Sequence, residues 1–270
     1  MTATIPEPAL AAAVVALRAA GCVFAEDEAA VLREAAADEG ALAALVRRRA
    51  SGEPLEHVVG YADFCGVRVR LRPGVFVPRI RSELLVRLGA EAARAKSEAV
   101  VVDLCCGSGA LGMAVKAQTP QIIVYAADSD PTAVACARDN LGDRVYQGDL
   151  FEALPPQLRG RVDVLLANVP YVATRHIPLL PAEAREHEPH TALDGGADGL
   201  NIFRRVVAAA PRWLAPGGVV LSEITGAQVD AATAAVPAAG LRDSLAYDDD
   251  LEATVVMGRR EDVPRGSALR

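Results

Sequence analysis

The strand pattern over residues 99–104 runs on through Asp103-Leu104-Cys105-Cys106-Gly107-Ser108-Gly109-Ala110-Leu111-Gly112, and no other feature constrains the fold as much. Glycines gather where a strand must turn into a helix. There the backbone needs conformations that a Cβ disfavours, and a ligand can come close to the chain. Gly107, Gly109 and Gly112 spell G-x-G-x-x-G, the pattern of a strand, turn and helix that holds a nucleotide-type cofactor at a helix N-terminus. The triplet alone does not separate NAD from other nucleotides.

Around this turn the pattern alternates between strand and helix. A helix is predicted over 81–95, then a strand over 99–104, a helix over 110–118, a strand over 122–127 and a helix over 131–140. Strands at 145–147 and 162–167 follow, and then a long Pro- and His-containing loop from Asn168 to about Gly199. A helix at 200–214, a strand at 218–223 and a helix at 227–238 precede two segments, 241–247 and 253–257, which flank Asp248-Asp249-Asp250 as a closing hairpin. This is the rhythm of a doubly wound parallel sheet, an α/β Rossmann-like fold.

The first 60 residues read differently. Leu10, Val14 and Leu17, then Val31 and Leu32, then Leu42, Leu45 and Val46 recur at helical spacing, with breaks near Gly21 and Gly40, as in a small helical bundle. Arg47-Arg48-Arg49 is assigned to the C-terminal dipole of the third helix rather than to a binding patch. From Tyr61 to Val77 short strands around turns form a hinge. The expected organisation is a helical domain at 1–60, a hairpin linker at 61–80, a cofactor domain at 81–260 and a flexible tail at 261–270.

Composition excludes several function classes. The 270 residues are 51% apolar and 23% charged, which suits a folded chain with its own core, and a net charge of −7 disfavours a nucleic-acid partner. Five cysteines, an odd number without a C-x-x-C pair, read as reduced thiols of a cytoplasmic protein. The alanine-rich run from Ala9 to Ala20 contains Arg18 and follows Glu7, so it reads as an amphipathic helix and not as a signal segment. No run approaches about 18 uninterrupted apolar residues, so no membrane span is expected. A monomer is the default.

The second strand ends in Ala126-Ala127-Asp128-Ser129, which puts Asp128 where a carboxylate accepts both ribose hydroxyls, with Ser129 beside it. Asp130, directly before Pro131, is the more natural helix cap. Asp103 favours S-adenosylmethionine over NAD, because an acid there can face the cofactor's amino-acid end whereas a pyrophosphate would be repelled. Gly148-Asp149-Leu150 ends the third strand, and Asp149 reads equally as an acceptor for the adenine amino group and as a turn acid.

The fourth strand runs into Asn168-Val169-Pro170-Tyr171, at the strand end where open α/β sheets bind ligands. This resembles the Asn-Pro-Pro-Tyr motif of methyltransferases that act on amide or exocyclic amine nitrogens. Such nitrogens are poor nucleophiles because their lone pair is delocalised. The Asn168 oxygen and the Val169 carbonyl can accept both N–H bonds and fix the nitrogen for attack, and Tyr171 can pack on the planar group. Val169 replaces a proline, which frees φ and adds an N–H.

Further segments extend the resemblance over nearly the whole chain. They are Gly52-Glu53-Pro54-Leu55-Glu56-His57-Val58-Val59-Gly60, Phe64-Cys65-Gly66, Pro73-Gly74-Val75-Phe76-Val77-Pro78-Arg79, His187-Glu188-Pro189 and Gly195-Gly196-Ala197-Asp198-Gly199-Leu200. With the glycine turn and the Asn168 motif, the chain resembles the protein-(glutamine-N5) methyltransferases of the HemK/PrmC type. The resemblance implies a helical substrate-recognition domain, a β-hairpin linker and a seven-stranded class I methyltransferase domain with an antiparallel last strand. It also implies S-adenosylmethionine as cofactor, S-adenosylhomocysteine as product, and the Gly-Gly-Gln loop of a peptide-chain release factor as substrate. Cofactor residues are then Asp103, Cys105, Gly107, Gly109, Asp128, Ser129, Asp149, Leu150 and Asn168, and the catalytic motif is Asn168, Val169, Pro170 and Tyr171. The chain departs from the family at Cys105, a glycine in the pattern, at Val169, and at Ile80 in Pro78-Arg79-Ile80-Arg81-Ser82-Glu83, which lacks a second proline. Cys105 fits the pattern if its φ is negative and its side chain turns into the sheet.

Other readings remain distinct. An adenine-N6 methyltransferase acting on nucleic acid would use the same motif, a dehydrogenase would use the glycines, and a paralogue could bind cofactor without activity. His187 and His190 lack further ligands at metal spacing, so no metal is expected. His57 is assigned a structural role, and Glu223 either lines the pocket or caps a strand.

Overall fold

The computed structural model describes residues 5–261; the expected tail falls almost wholly outside them. The N-terminal unit contains α1 (Glu7–Ala19), α2 (Ala25–Ala35), α3 (Glu39–Ala50) and the short α4 (Leu55–Val59). Leu17, Leu32 and Leu42 meet at its centre with almost no exposure, each worth about 2 kcal/mol relative to an exposed side chain. The second break comes before Gly40: Asp38 caps α3 by accepting the Ala41 N–H at 2.7 Å, so Gly40 lies within the helix. The arginines at the end of α3 do more than balance a dipole. Arg48 pairs with Glu53 and donates to the Val58 carbonyl, while Arg49 reaches Glu28 in α2.

A two-stranded hairpin, β1 (Tyr61–Phe64) and β2 (Val67–Arg70), leads out of this unit. Residues 75–77 pair with no strand; His57 Nε2 lies 2.8 Å from the Val75 carbonyl and ties the segment to α4.

The remaining elements alternate. They are α5 (Glu83–Arg94), β3 (Val100–Leu104), α6 (Ala110–Gln118), β4 (Ile123–Asp128), α7 (Pro131–Leu141), β5 (Val145–Gln147), β6 (Val162–Ala167), α8 (Ala182–His187) and α9 (His190–Leu193). Then come α10 (Asn201–Ala209), β7 (Leu214–Ile224), α11 (Val229–Ala238), β8 (Arg242–Asp248) and β9 (Ala253–Arg259). The seven-stranded sheet has the order β5-β4-β3-β6-β7-β9-β8, with β9 antiparallel to both of its neighbours. Strand β7 begins four residues earlier than its pattern suggested, because Leu214 pairs with Val162 around an irregularity in the register.

Helices cover both faces, as a sheet of continuous apolar strands requires. On α10, Phe203, Val206 and Val207 recur at one-turn spacing and pack with α11 against Leu104 and Leu165. On α5, Leu85 and Ala93 lie two turns apart and pack with α6 against Val101 and Leu166 on the opposite face.

Candidate active site

Sheet register builds the site. Leu104 lies beside Ala127 on one side and Ala167 on the other, and Leu166 lies beside Leu221. Continuing that row by one residue brings Asp128, Cys105, Asn168 and Glu223 to the carboxyl ends of four adjacent strands. The strand order reverses between β4 and β6 on either side of β3, the switch point at which such sheets open a crevice. A cleft of about 1240 Å³ lies there, lined by Cys105, Gly107, Asp128, Ser129, Asp149, Leu150 and the whole of Asn168–Tyr171.

The glycine turn is held from two sides. Asp128 Oδ2 accepts the Gly107 N–H at 2.9 Å, and its Oδ1 accepts the Asp130 N–H at 3.0 Å. Asp130 in turn caps α7 through the Thr132 N–H, as its place before Pro131 suggested. Burial raises the Asp128 carboxyl, opposed by these amide donors. Gly107 has φ +54° and no atom within 4 Å of where a Cβ would stand, so the cleft approaches its bare backbone. A bare backbone beside a carboxylate at a strand end fits a nucleoside with a vicinal diol.

Asp103 and Gly109, expected at the cofactor, do not line the cleft. Asp103 is fully buried beneath the turn; its Oδ2 accepts the Gly112 N–H at 3.0 Å, and its Oδ1 has no partner. Burial pushes this carboxyl up to about 7. It therefore braces the start of α6 from below. Gly109 has φ +77° and packs under Leu141.

Cys105 does not meet the condition set for it. Its φ is +55°, in the left-handed region, and its half-buried side chain lines the cleft. The turn imposes the glycine conformation whichever residue stands there, and a Cβ at such an angle costs roughly 1–2 kcal/mol. Burial beside Asp128 and Asp103 pushes its thiol well up, which disfavours thiolate chemistry. Asp149 is half-exposed and pairs with Arg205 at 2.5 Å. Leu150 also has a positive φ, +49°.

The Asn168 loop is firmly held despite Val169. Val169 is buried in the core, Gln228 Nε2 donates to the Tyr171 carbonyl at 2.8 Å, and Val172 exchanges hydrogen bonds with Leu193 and Gly195. A Cβ at Gly199 would collide with the Tyr171 carbonyl, so the Gly195–Gly199 turn packs backbone on backbone against the motif.

Behind Asn168 is a cluster that the sequence reading missed. Asn168 Nδ2 donates to Ser82 Oγ at 3.2 Å, and Ser82 Oγ donates to Glu223 Oε2 at 2.7 Å. Glu223 Oε1 accepts from Tyr171 Oη at 2.9 Å and from Arg81 Nε at 2.8 Å. Glu223, left open between lining and capping, is a buried hub. Ser82 and Arg81 belonged to a segment already singled out for its missing proline, and that was the available signal. Burial and the neighbouring Glu223 push the Tyr171 phenol well up, so it stays a donor. Asn168 Oδ1 is buried and has no partner.

Comparison with known proteins agrees with this geometry. Residues 66–183 match the family described as "Methyltransferase small domain". A release factor glutamine methyltransferase from Geobacter sulfurreducens is 37% identical over 221 residues, covering 80% of this chain and 76% of that protein. The chain belongs to the release factor glutamine methyltransferase family. This makes it an S-adenosylmethionine-dependent methyltransferase, and the open Gly107 backbone and the Asp128 carboxylate fit that cofactor.

Not every relative in the family's neighbourhood carries the same name. A 4-amino-L-phenylalanine/4-methylamino-L-phenylalanine methyltransferase from Streptomyces pristinaespiralis is 39% identical over 186 residues, 66% of this chain and 63% of that protein. In three dimensions a methyltransferase from Pyrococcus furiosus shares the fold, with a TM-score of 0.53 at 14% identity over 73% of this chain and 90% of that one. Among the described residues no helix is long and apolar enough to cross a membrane.

Proposed function

We propose that the protein transfers a methyl group to the side-chain amide nitrogen of a glutamine, in the Gly-Gly-Gln loop of a peptide-chain release factor, as a cytoplasmic monomer. The observation that carries this reading is the buried, unpartnered Oδ1 of Asn168, a residue that lines the cleft. A buried acceptor without a donor loses one to three kcal/mol, roughly, until a ligand supplies the missing N–H.

When bound, S-adenosylmethionine supplies an electrophilic methyl group on a sulfonium. Gly107 would accommodate it against bare backbone and Asp128 would accept its ribose hydroxyls, with Ser129, Asp149 and Leu150 along the same wall. Asn168 Oδ1 and the Val169 carbonyl accept the two N–H bonds of the acceptor amide. They orient its nitrogen and favour the positive charge that develops as it attacks. Tyr171 closes one side of the planar group. Asp103 acts at one remove, holding the helix that carries the turn.

The cleft wall speaks for a protein acceptor over a nucleic acid. Asp27, Glu28, Glu56 and Glu183 line it, and the arginines there, Arg49, Arg79 and Arg81, are engaged by Glu28, Glu188 and Glu223. A phosphate backbone would meet net negative charge. The helical unit at 1–60 contributes Phe24, Asp27, Glu28 and Val31 to the same wall, which supports its role in acceptor recognition.

The test is incubation with S-adenosylmethionine and a recombinant class I release factor, followed by mass spectrometry of the Gly-Gly-Gln peptide. One added methyl on glutamine that disappears in Asn168→Ala is the expected result. An unmodified peptide alongside methylation of a free aromatic amine would replace the protein substrate with a small molecule.

A further inference from the structure

We propose that Ser82 and Glu223 are positioning residues that fix which end of the Asn168 side-chain amide faces the acceptor. The inference deepens the amide-transfer reading above and rests on it. An asparagine amide has an oxygen that accepts and a nitrogen that donates, nearly equal in size. Shape alone does not choose between its two orientations. For the acceptor the choice is decisive, since only Oδ1 can take an N–H from the substrate nitrogen, whereas Nδ2 would oppose donor to donor.

The chain of hydrogen bonds behind Asn168 makes that choice. Arg81 can only donate, and it donates to both Glu223 Oε1 and Tyr171 Oη. Tyr171 Oη, already accepting from Arg81, gives its one proton to Glu223 Oε1 at 2.9 Å. Oε1 thus takes two donors, and Oε2 is left facing Ser82 Oγ at 2.7 Å. A carboxylate offers no proton, so Ser82 must give its single hydroxyl proton to Glu223. Its oxygen then has only lone pairs to present to Asn168, 3.2 Å away, and the partner that fits them is Nδ2. Oδ1 is turned the other way, and there it has no protein partner. The flipped amide would set two acceptors against each other in a buried site.

The two middle members of the relay are shielded from water, which would otherwise supply protons in either direction. Ser82 and Glu223 are each 2% exposed. Ser82 also donates its backbone N–H to the Arg79 carbonyl at 3.0 Å, so its position at the head of α5 is fixed. Glu223 follows Ser222, whose Oγ donates to the Ala167 carbonyl at 2.7 Å and locks β7 to the strand that carries Asn168.

Two measurements on the full chain test the relay. In isotopically labelled protein, nuclear Overhauser contacts from the Asn168 Nδ2 protons to the Ser82 Hβ protons are expected, and they should fade in Glu223→Gln, whose amide can donate to Ser82 and reverse the polarity. In steady-state assays on a recombinant release factor, Ser82→Ala should lower kcat by about 100-fold, the loss typical of a misplaced reacting group, while KM moves by less than about threefold. Ser82→Thr, which keeps the hydroxyl, should restore most of the rate, and S-adenosylhomocysteine should bind all three proteins equally. Wild-type kcat in Ser82→Ala, or wild-type Asn168 amide protons without contact to Ser82, overturns the proposal. If the wild-type protein methylates no release factor, the amide-transfer reading fails and the Overhauser contacts alone decide the relay.

Discussion

Arg49 donates to Glu183 across 2.7 Å and joins the last turn of α3 to α8 over a separation of 134 residues. The same guanidinium holds Glu28 at 2.6 Å, so one side chain clasps the N-terminal unit to the loop that borders the cleft. Arg49→Ala leaves the 13% exposed Glu28 side chain without its partner and should destabilise the protein by about 1–3 kcal/mol; the more exposed Glu183 adds little. Kinetics should show a raised KM for release factor with unchanged S-adenosylhomocysteine affinity. An unaltered KM would separate the clasp from acceptor binding.

Asp128 both holds the Gly107 N–H and faces the cleft. Asp128→Ala removes an acceptor from the turn and the carboxylate proposed to hold the ribose. Calorimetric titration with S-adenosylhomocysteine should show affinity falling by about 10- to 100-fold, as expected for loss of charge-assisted hydrogen bonds worth a few kcal/mol. Undiminished affinity would remove the ribose assignment.

The left-handed Cys105 backbone predicts different effects for two substitutions. In Cys105→Gly the strain relieved is offset by the greater freedom of the unfolded chain and the lost side-chain packing, leaving stability within about 1 kcal/mol of the original. Cys105→Val places a β-branched residue at that angle and should cost about 2 kcal/mol or more. Thermal unfolding of the two variants compares them directly.

Gly199→Ala should damage the motif without touching it chemically. The added Cβ collides with the Tyr171 carbonyl and with Gln228 Nε2, the donor that holds that carbonyl. Since φ there is +80° and the colliding atom is backbone, a loss of about 2–4 kcal/mol is expected, together with weaker turnover. A variant of normal stability and rate would show that the loop can move aside.

Asp103 gives stability a definite pH dependence. Burial pushes its carboxyl up to about 7 in the folded state from an ordinary value of 3.8, so the folded chain binds more protons across that interval. Its contribution is present below about pH 4 and is lost as the pH rises towards 7. Asp103→Asn cannot titrate. Urea unfolding across pH 4.5–8 should show the wild type losing stability relative to the variant as the pH rises; a constant difference would mean that Asp103 ionises normally.

The local architecture was legible in the sequence. The strand-and-helix alternation, the helix at 110–118, the strands at 145–147 and 162–167, the closing hairpin and the Asp130 cap all follow from periodicity and turn chemistry acting over a few residues. Because strands of such a sheet end where ligands bind, the sequence alone points to Asp128 and Asn168, and both line the cleft.

What the tertiary structure decided depends on contacts between distant segments. Nothing near Ser82 in the sequence reveals that Glu223, 141 residues away, accepts its proton; strand order and register bring them together. The placement of Asp103 beneath the turn instead of along the cleft depends on which face of β3 the side chain leaves. At Cys105 residue preference argues for a negative φ, while the packed turn between β3 and α6 requires a positive one. Local preferences differ by about 1 kcal/mol per residue, and a turn fixed at both ends by a sheet and a helix outweighs them.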